Sequence, residues 1–264
     1  MRPFPQHLRP MNEERHTMNS GGIERISFPG GASCHLLRPV QDTQAVPALV
    51  VMLAAIAGVN DYVVTRAKNL CAEGYTVAVL DYFGREGAVP DLSTPQRIGE
   101  AVAALDDRRV LGDLGEILEW ARSEGFPLSK VGLLGFCIGG TYAVLAGAQH
   151  AVGCAVDYYG QLSYAARSER KPVAPVDVAD SLKAPLLCHY GDWDRLVSRE
   201  EIDGLTGRLR TAQKPYELFI YNGAPHAFDE WFRPAIFRPA ASSAAWQRTR
   251  IFLNWHLRGH LGAH

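Results

Sequence analysis

The stretch Gly135-Phe136-Cys137-Ile138-Gly139-Gly140 constrains the fold of this chain more than any other. It follows an apolar segment, residues 130–135, that reads as a buried strand, and it opens a helical segment over 138–149. A strand turning into a helix through glycines spaced around one reactive side chain is a nucleophile elbow, here with cysteine at its centre. The central residue sits on a strained turn, and side chains at Gly135 and Gly139 would clash with it. A helix starting at Ile138 points its N-terminus at the Cys137 sulfur, which favours a thiolate. The free N–H of Ile138 is then placed to hold an oxyanion. The blander alternative is a buried cysteine after a glycine-rich turn; strand, elbow and helix together argue against it.

The rest of the chain repeats the alternation. A hairpin is expected over 23–28 and 32–38, around Pro29-Gly30-Gly31. Strands are then expected at 48–54, 75–80, 130–135, 152–158, 184–190 and 216–221. Helices are expected at 61–73, 96–124 with a break near Gly112, 138–149, 198–212 and 242–257. Continuous rather than alternating apolar strands imply burial on both faces. Strands separated by helices imply a mostly parallel, doubly wound α/β sheet flanked by helices, with ligands at the carboxyl ends of the strands. The long loop over 160–180 is the kind that covers sites. Residues 1–20 are polar, contain proline and have no apolar core; they read as a flexible extension rather than a secretory signal, ahead of one domain over 21–264.

Composition narrows the function classes. The 264 residues carry a formal net charge of −1, which points to no nucleic-acid or membrane partner. No apolar run approaches the ~20 residues of a membrane span. Five cysteines without a CxxC pair make a disulfide framework or a cysteine zinc site unexpected and fit reduced thiols in the cytoplasm. No cofactor and no metal are expected.

A cysteine nucleophile needs a base, and the base needs an orienting carboxylate. The predicted strand at 216–221 runs into a loop bearing His226, and the strand at 184–190 into a loop bearing Asp192 and Asp194. Either carboxylate suits the role, although Asp192, directly after Gly191, also suits a local turn. His189 lies within a strand and reads as a packed core residue; His256, His260 and His264 read as solvated.

At this point the chain resembles the dienelactone hydrolase family of the α/β-hydrolase superfamily. The matching pieces are Ile56-Ala57-Gly58-Val59-Asn60, Asp81-Tyr82-Phe83-Gly84-Arg85, the elbow, Asp157-Tyr158-Tyr159-Gly160, Gly191-Asp192-Trp193-Asp194 and His226-Ala227-Phe228. The resemblance implies an α/β-hydrolase fold and a Cys137–His226–Asp194 triad, with Asp194 ahead of Asp192. It implies an oxyanion hole from the N–H groups of Ile56 and Ile138, a substrate-carboxylate anchor at Arg85 and a pocket tyrosine at Tyr158. The chain departs from the family at Ala55, where a glutamate is usual, and at Glu230, where an arginine is usual.

The expected activity is hydrolysis of a small-molecule ester or lactone by a monomer or homodimer. Hydrolysis of other activated esters, such as phosphoesters, is the alternative within enzymes. A binding module that kept the fold is the alternative outside them, and Ala55 is the feature that favours it.

Overall fold

The computed structural model of the protein describes residues 22–39 and 47–259, so the extension expected over 1–20 and both His260 and His264 lie outside the described residues. Two short strands, β1 (Glu24–Ser27) and β2 (Ser33–Leu37), form the expected hairpin. Six further strands follow: β3 (Leu49–Leu53), β4 (Thr76–Leu80), β5 (Val131–Phe136), β6 (Cys154–Tyr158), β7 (Leu186–Gly191) and β8 (Tyr216–Tyr221). They make one eight-stranded sheet in the order β1-β2-β4-β3-β5-β6-β7-β8. The hairpin joins β4 antiparallel, and every pairing from β4 to β8 is parallel. Every residue of β3, β4, β5, β6 and β7 is buried, which accounts for their unbroken apolar sequences.

Helices α1 (Asp61–Ala72), α2 (Pro95–Ala104), α3 (Asp107–Ser123), α4 (Ile138–Gln149), α5 (Arg199–Thr211) and α6 (Pro239–Arg258) flank this sheet. Caps set their starts: Asn60 accepts the Val63 N–H for α1, and Ser198 and Glu201 form a capping box for α5. Every residue of α4 from Ile138 to Ala148 is buried, and Gly147 lets it press close to Ala155 in β6.

The expected break in the helical stretch over 96–124 is present, but it falls at Leu105 and Asp106 rather than near Gly112. Leu105 ends the first segment and Asp106 caps the second by accepting the Arg108 N–H at 2.9 Å, while the Asp107 N–H is drawn away to Arg170 O. Gly112 lies inside α3. The 160–180 loop is likewise pinned to α3 and α4: Lys171 Nζ donates to Asp107 Oδ1 at 2.6 Å and to Tyr142 Oη at 3.1 Å. Among the described residues no helix is long and apolar enough to cross a membrane.

Candidate active site

The elbow forms where β5 meets α4. Cys137 takes φ 54° and ψ −122°, a conformation that costs energy for any residue with a β-carbon. The glycines are there because backbone fills the space around it. A β-carbon on Gly135 would lie 2.0 Å from the Gly139 carbonyl oxygen, and one on Gly139 would lie 2.0 Å from the Leu53 carbonyl oxygen. Tyr159 and Ala227, at φ 46° and 60°, are also left-handed, and both stand next to residues of this site.

Cys137 Sγ lies 3.3 Å from His226 Nε2. On the other edge of the ring, Nδ1 lies 2.9 Å from Asp194 Oδ2. The second oxygen of Asp194 accepts the N–H groups of Leu196 at 2.8 Å and Val197 at 3.2 Å, so the carboxylate is fixed and its side chain wholly buried. Asp192 goes elsewhere: it accepts the Gly223 N–H at 2.6 Å and ties the β7 loop to the β8 turn. Of the two carboxylates, Asp194 is thus the one that contacts His226. Burial would push the His226 imidazole down, but the neighbouring Cys137 sulfur and Asp194 carboxylate hold it up, to about 10.

Ile138 is the first residue of α4, so its N–H has no partner within the helix. Ile56 follows β3, which is in register with β5 at Leu53 and Gly135. The close approach of Gly139 to the Leu53 and Ala54 carbonyls brings the 54–56 turn alongside the elbow. Tyr82 supports that turn from the core by donating to Ala54 O at 3.1 Å. Sequence reasoning missed Tyr82; its place directly after β4, next to β3, was the available signal.

Arg85 and Tyr158 are placed elsewhere than their expected roles require. Arg85 donates to Gly30 O at 2.6 Å and pairs with Asp113 of α3, because a nearly buried carboxylate there needs a cation. Tyr158 is fully buried, bonded to Thr249 Oγ1 of α6 at 2.7 Å and packed between Phe136 and His189. Strand alternation explains this: Asp157 faces α4, so Tyr158 faces α6. Its neighbour Tyr159 instead sets its ring edge-on to His226, centroids 5.2 Å apart. His189 is a core residue as expected, held by Thr249 and Tyr221, and burial pushes its imidazole down to about 3. His256 is half-buried against Phe252 rather than solvated.

A cleft of about 750 Å³ opens beside His226, lined among others by Trp193, Arg195, Leu196, Arg233 and Ile236. Arg233 is half-exposed there and binds buried Glu230 at 2.9 Å. Burial pushes the Glu230 carboxyl up, and Arg233 and His226 pull against that. The cleft touches the site through His226 and Asp194; Cys137, Ile56, Ile138, Arg85, Tyr158 and the 160–180 loop do not line it.

The histidine loop is anchored by Asp229, three residues beyond His226. Arg66 of α1 donates to Asp229 Oδ2 at 3.1 Å and Oδ1 at 2.6 Å; Tyr62 and Ser242 also donate to it. The Arg66 guanidinium lies 4.4 Å from the centre of the Trp246 ring. Asp229→Ala leaves this arginine buried without its partner, and a loss of about 3–5 kcal/mol is expected by urea denaturation.

The family model that matches residues 35–257 describes the dienelactone hydrolase family. The chain belongs to that family. It is 42% identical over 226 residues to a Bradyrhizobium sp. protein named "Probable 2-oxo-3-(5-oxofuran-2-ylidene)propanoate lactonase", covering 85% of this chain and 90% of that one. It is 32% identical over 239 residues to a carboxymethylenebutenolidase of Rhodococcus opacus, covering 89% and 91%. Among solved structures, a "Putative Dienelactone Hydrolase" from Klebsiella pneumoniae superposes with a TM-score of 0.79 at 28% identity, covering 86% of this chain and 94% of that one. The protein is therefore a dienelactone hydrolase-family enzyme with the α/β-hydrolase fold, a hydrolase of ester bonds.

Reactivity of the five thiols follows from their surroundings. Cys34, Cys154 and Cys188 are buried, and burial pushes all three up, Cys34 to about 12. Partial burial pushes Cys71 up as well. Brief iodoacetamide treatment followed by peptide mass spectrometry is expected to find Cys137 labelled first.

Proposed function

We propose that this enzyme hydrolyses lactones and related carboxylic esters through a Cys137–His226–Asp194 triad and an acyl-enzyme intermediate. The observation that carries the reading is the continuous contact from sulfur to imidazole to carboxylate, 3.3 Å and 2.9 Å, at an elbow backed by a helix N-terminus.

Cys137 Sγ attacks the carbonyl carbon, and the carbonyl π electrons move onto oxygen. The N–H groups of Ile56 and Ile138 hold that oxyanion. Collapse re-forms the carbonyl and breaks the carbon–oxygen bond of the leaving group, which takes a proton from His226 Nε2. For a lactone this opens the ring and leaves both ends on one acyl chain, joined to Cys137 as a thioester. His226 then takes a proton from water, the hydroxide adds to the thioester, and the thiolate departs. Asp194 holds the ring in the required tautomer throughout.

Arg233 and Arg195 in the cleft suit a lactone that bears a carboxylate, the class named for the Bradyrhizobium relative. The test is kcat/KM across neutral and carboxylate-bearing lactones and short-chain esters. The reading requires turnover of lactones with preference for the charged ones; turnover of phosphoesters alone, or no turnover of p-nitrophenyl acetate at all, overturns it. Glu230 competes for Arg233, so Glu230→Gln should lower KM for a carboxylate-bearing lactone severalfold and leave a neutral ester unchanged. An equal change for both substrates would remove Arg233 from recognition.

A further inference from the structure

Asp157 is fully buried in β6, the strand beside the elbow strand. Tyr190 Oη donates to its Oδ2 at 2.5 Å, and the Gly160 N–H donates to its Oδ1 at 2.7 Å. Among the described residues neither an arginine nor a lysine neutralises it. A buried carboxylate without a cation is costly, but donors on opposite oxygens need both oxygens as acceptors, which the ionised form alone supplies in full.

Its position explains the last glycine of the elbow. Gly135 and Gly139 are required by the turn itself, as above. A β-carbon on Gly140 would meet something different, Asp157 Oδ1 at 2.0 Å. Gly140 stands in the first turn of α4, where its own N–H donates to Cys137 O at 2.9 Å, so the carboxylate packs against its Cα. The carboxylate thus rests against the same helix end as Cys137.

The turn it closes reaches both reacting groups. The Cys137 N–H donates to Tyr158 O at 2.9 Å, which ties the elbow to this turn. Tyr159, held left-handed at φ 46° with its N–H on His189 O, sets its ring against His226.

We propose that Asp157 is a positioning residue: ionised and seated against Gly140, it locks the 157–160 turn that holds the Cys137 amide on one side and the His226 ring on the other. This rests on the reading of Cys137 as nucleophile. Tyr190 and Cys188 face the carboxylate from β7, Asp194 from the loop after β7 and His226 from the loop after β8; from α4 its neighbour is the uncharged backbone of Gly140. Burial raises the carboxyl to about 6; Tyr190, Gly160 and His226 oppose that rise, while Asp194 adds to it. Below that pH the added proton occupies an oxygen that accepts from Tyr190 or Gly160, and the lock loosens.

The test measures Cys137 alkylation by iodoacetamide, p-nitrophenyl acetate hydrolysis and thermal unfolding from pH 5 to 9, in wild type and Asp157→Asn. Wild type should lose both reactivities below an inflection near pH 6. The variant should lack that inflection and lose roughly tenfold or more in kcat at pH 8, with KM little changed. Its Tm at pH 8 should equal or exceed the wild-type value. A carboxyl raised above its ordinary 3.8 opposes folding increasingly as pH rises through about 6, and asparagine removes that opposition. Tyr190→Phe deletes a donor to the charged form, so it should move the inflection upward. Wild-type kcat with the inflection retained in Asp157→Asn overturns the proposal. So does activity that falls only in proportion to the folded fraction. If Cys137 is not the nucleophile, the hydrolysis arm becomes uninformative, while the alkylation arm still reads the hold of Asp157 on the elbow.

Discussion

Cys137→Ala should reduce hydrolysis of p-nitrophenyl acetate and of lactones by a factor on the order of 10³–10⁶ without lowering the Tm. The expectation follows from where the side chain stands. Cys137 is only partly buried, its sulfur faces His226, and the elbow is held by the backbone and by glycines rather than by the thiol. Removal of Sγ deletes the attacking atom and little packing. The measurement pairs steady-state kinetics with a thermal melt. A variant that melts normally and still turns over would mean that another group, or a bound water, attacks the ester.

His226→Ala should cost on the order of 10³-fold or more in kcat, because in the proposed mechanism the same ring takes the thiol proton, protonates the leaving group and activates water. Asp194→Asn should cost less, since the imidazole remains but its tautomer and charge are no longer fixed. Asp192→Asn should leave kcat near wild type, because Asp192 holds the Gly223 amide and does not touch the histidine. The ranking of the three variants carries the information. A larger loss at Asp192 than at Asp194 would show that the carboxylate contacting His226 is not the one that supports it during turnover.

The elbow, the succession of strands along the chain and the loops bearing Asp194 and His226 were legible because they are local. A glycine pattern between a strand and a helix reports a backbone turn, and the carboxyl ends of parallel strands fall on one edge whatever else the chain does. What was not legible depends on partners far along the chain. Arg85 was expected at a substrate carboxylate, but Asp113 and the Gly30 carbonyl claim its guanidinium. Tyr158 and Tyr159 could not be told apart, since strands buried on both faces lose the alternation that assigns a face. The helix over 96–124 broke at Asp106 because a cap and the Arg170 carbonyl took the local amides, neither of which periodicity reports. At Glu230 the sequence shows a missing arginine with Arg233 nearby, but not that the two side chains pair with each other.

The charge arrangement also bears on Ala55. The residue there has no acceptor to offer the thiol, and the contact observed for the sulfur is His226 Nε2. Glu230 lies near the histidine but is engaged by Arg233. The imidazole is thus the hydrogen-bond partner of the sulfur at this position.

The central claim is that the acyl group passes through Cys137, and rapid acid quench with peptide mass spectrometry reads this directly. Wild-type enzyme is mixed with excess p-nitrophenyl acetate or a lactone, stopped within the first turnovers, digested and mapped. The account predicts the acyl mass on the peptide containing Cys137, in a form released by hydroxylamine, and no such adduct in Cys137→Ala. An acyl group on a different residue, or full turnover with Cys137 never modified, would contradict it.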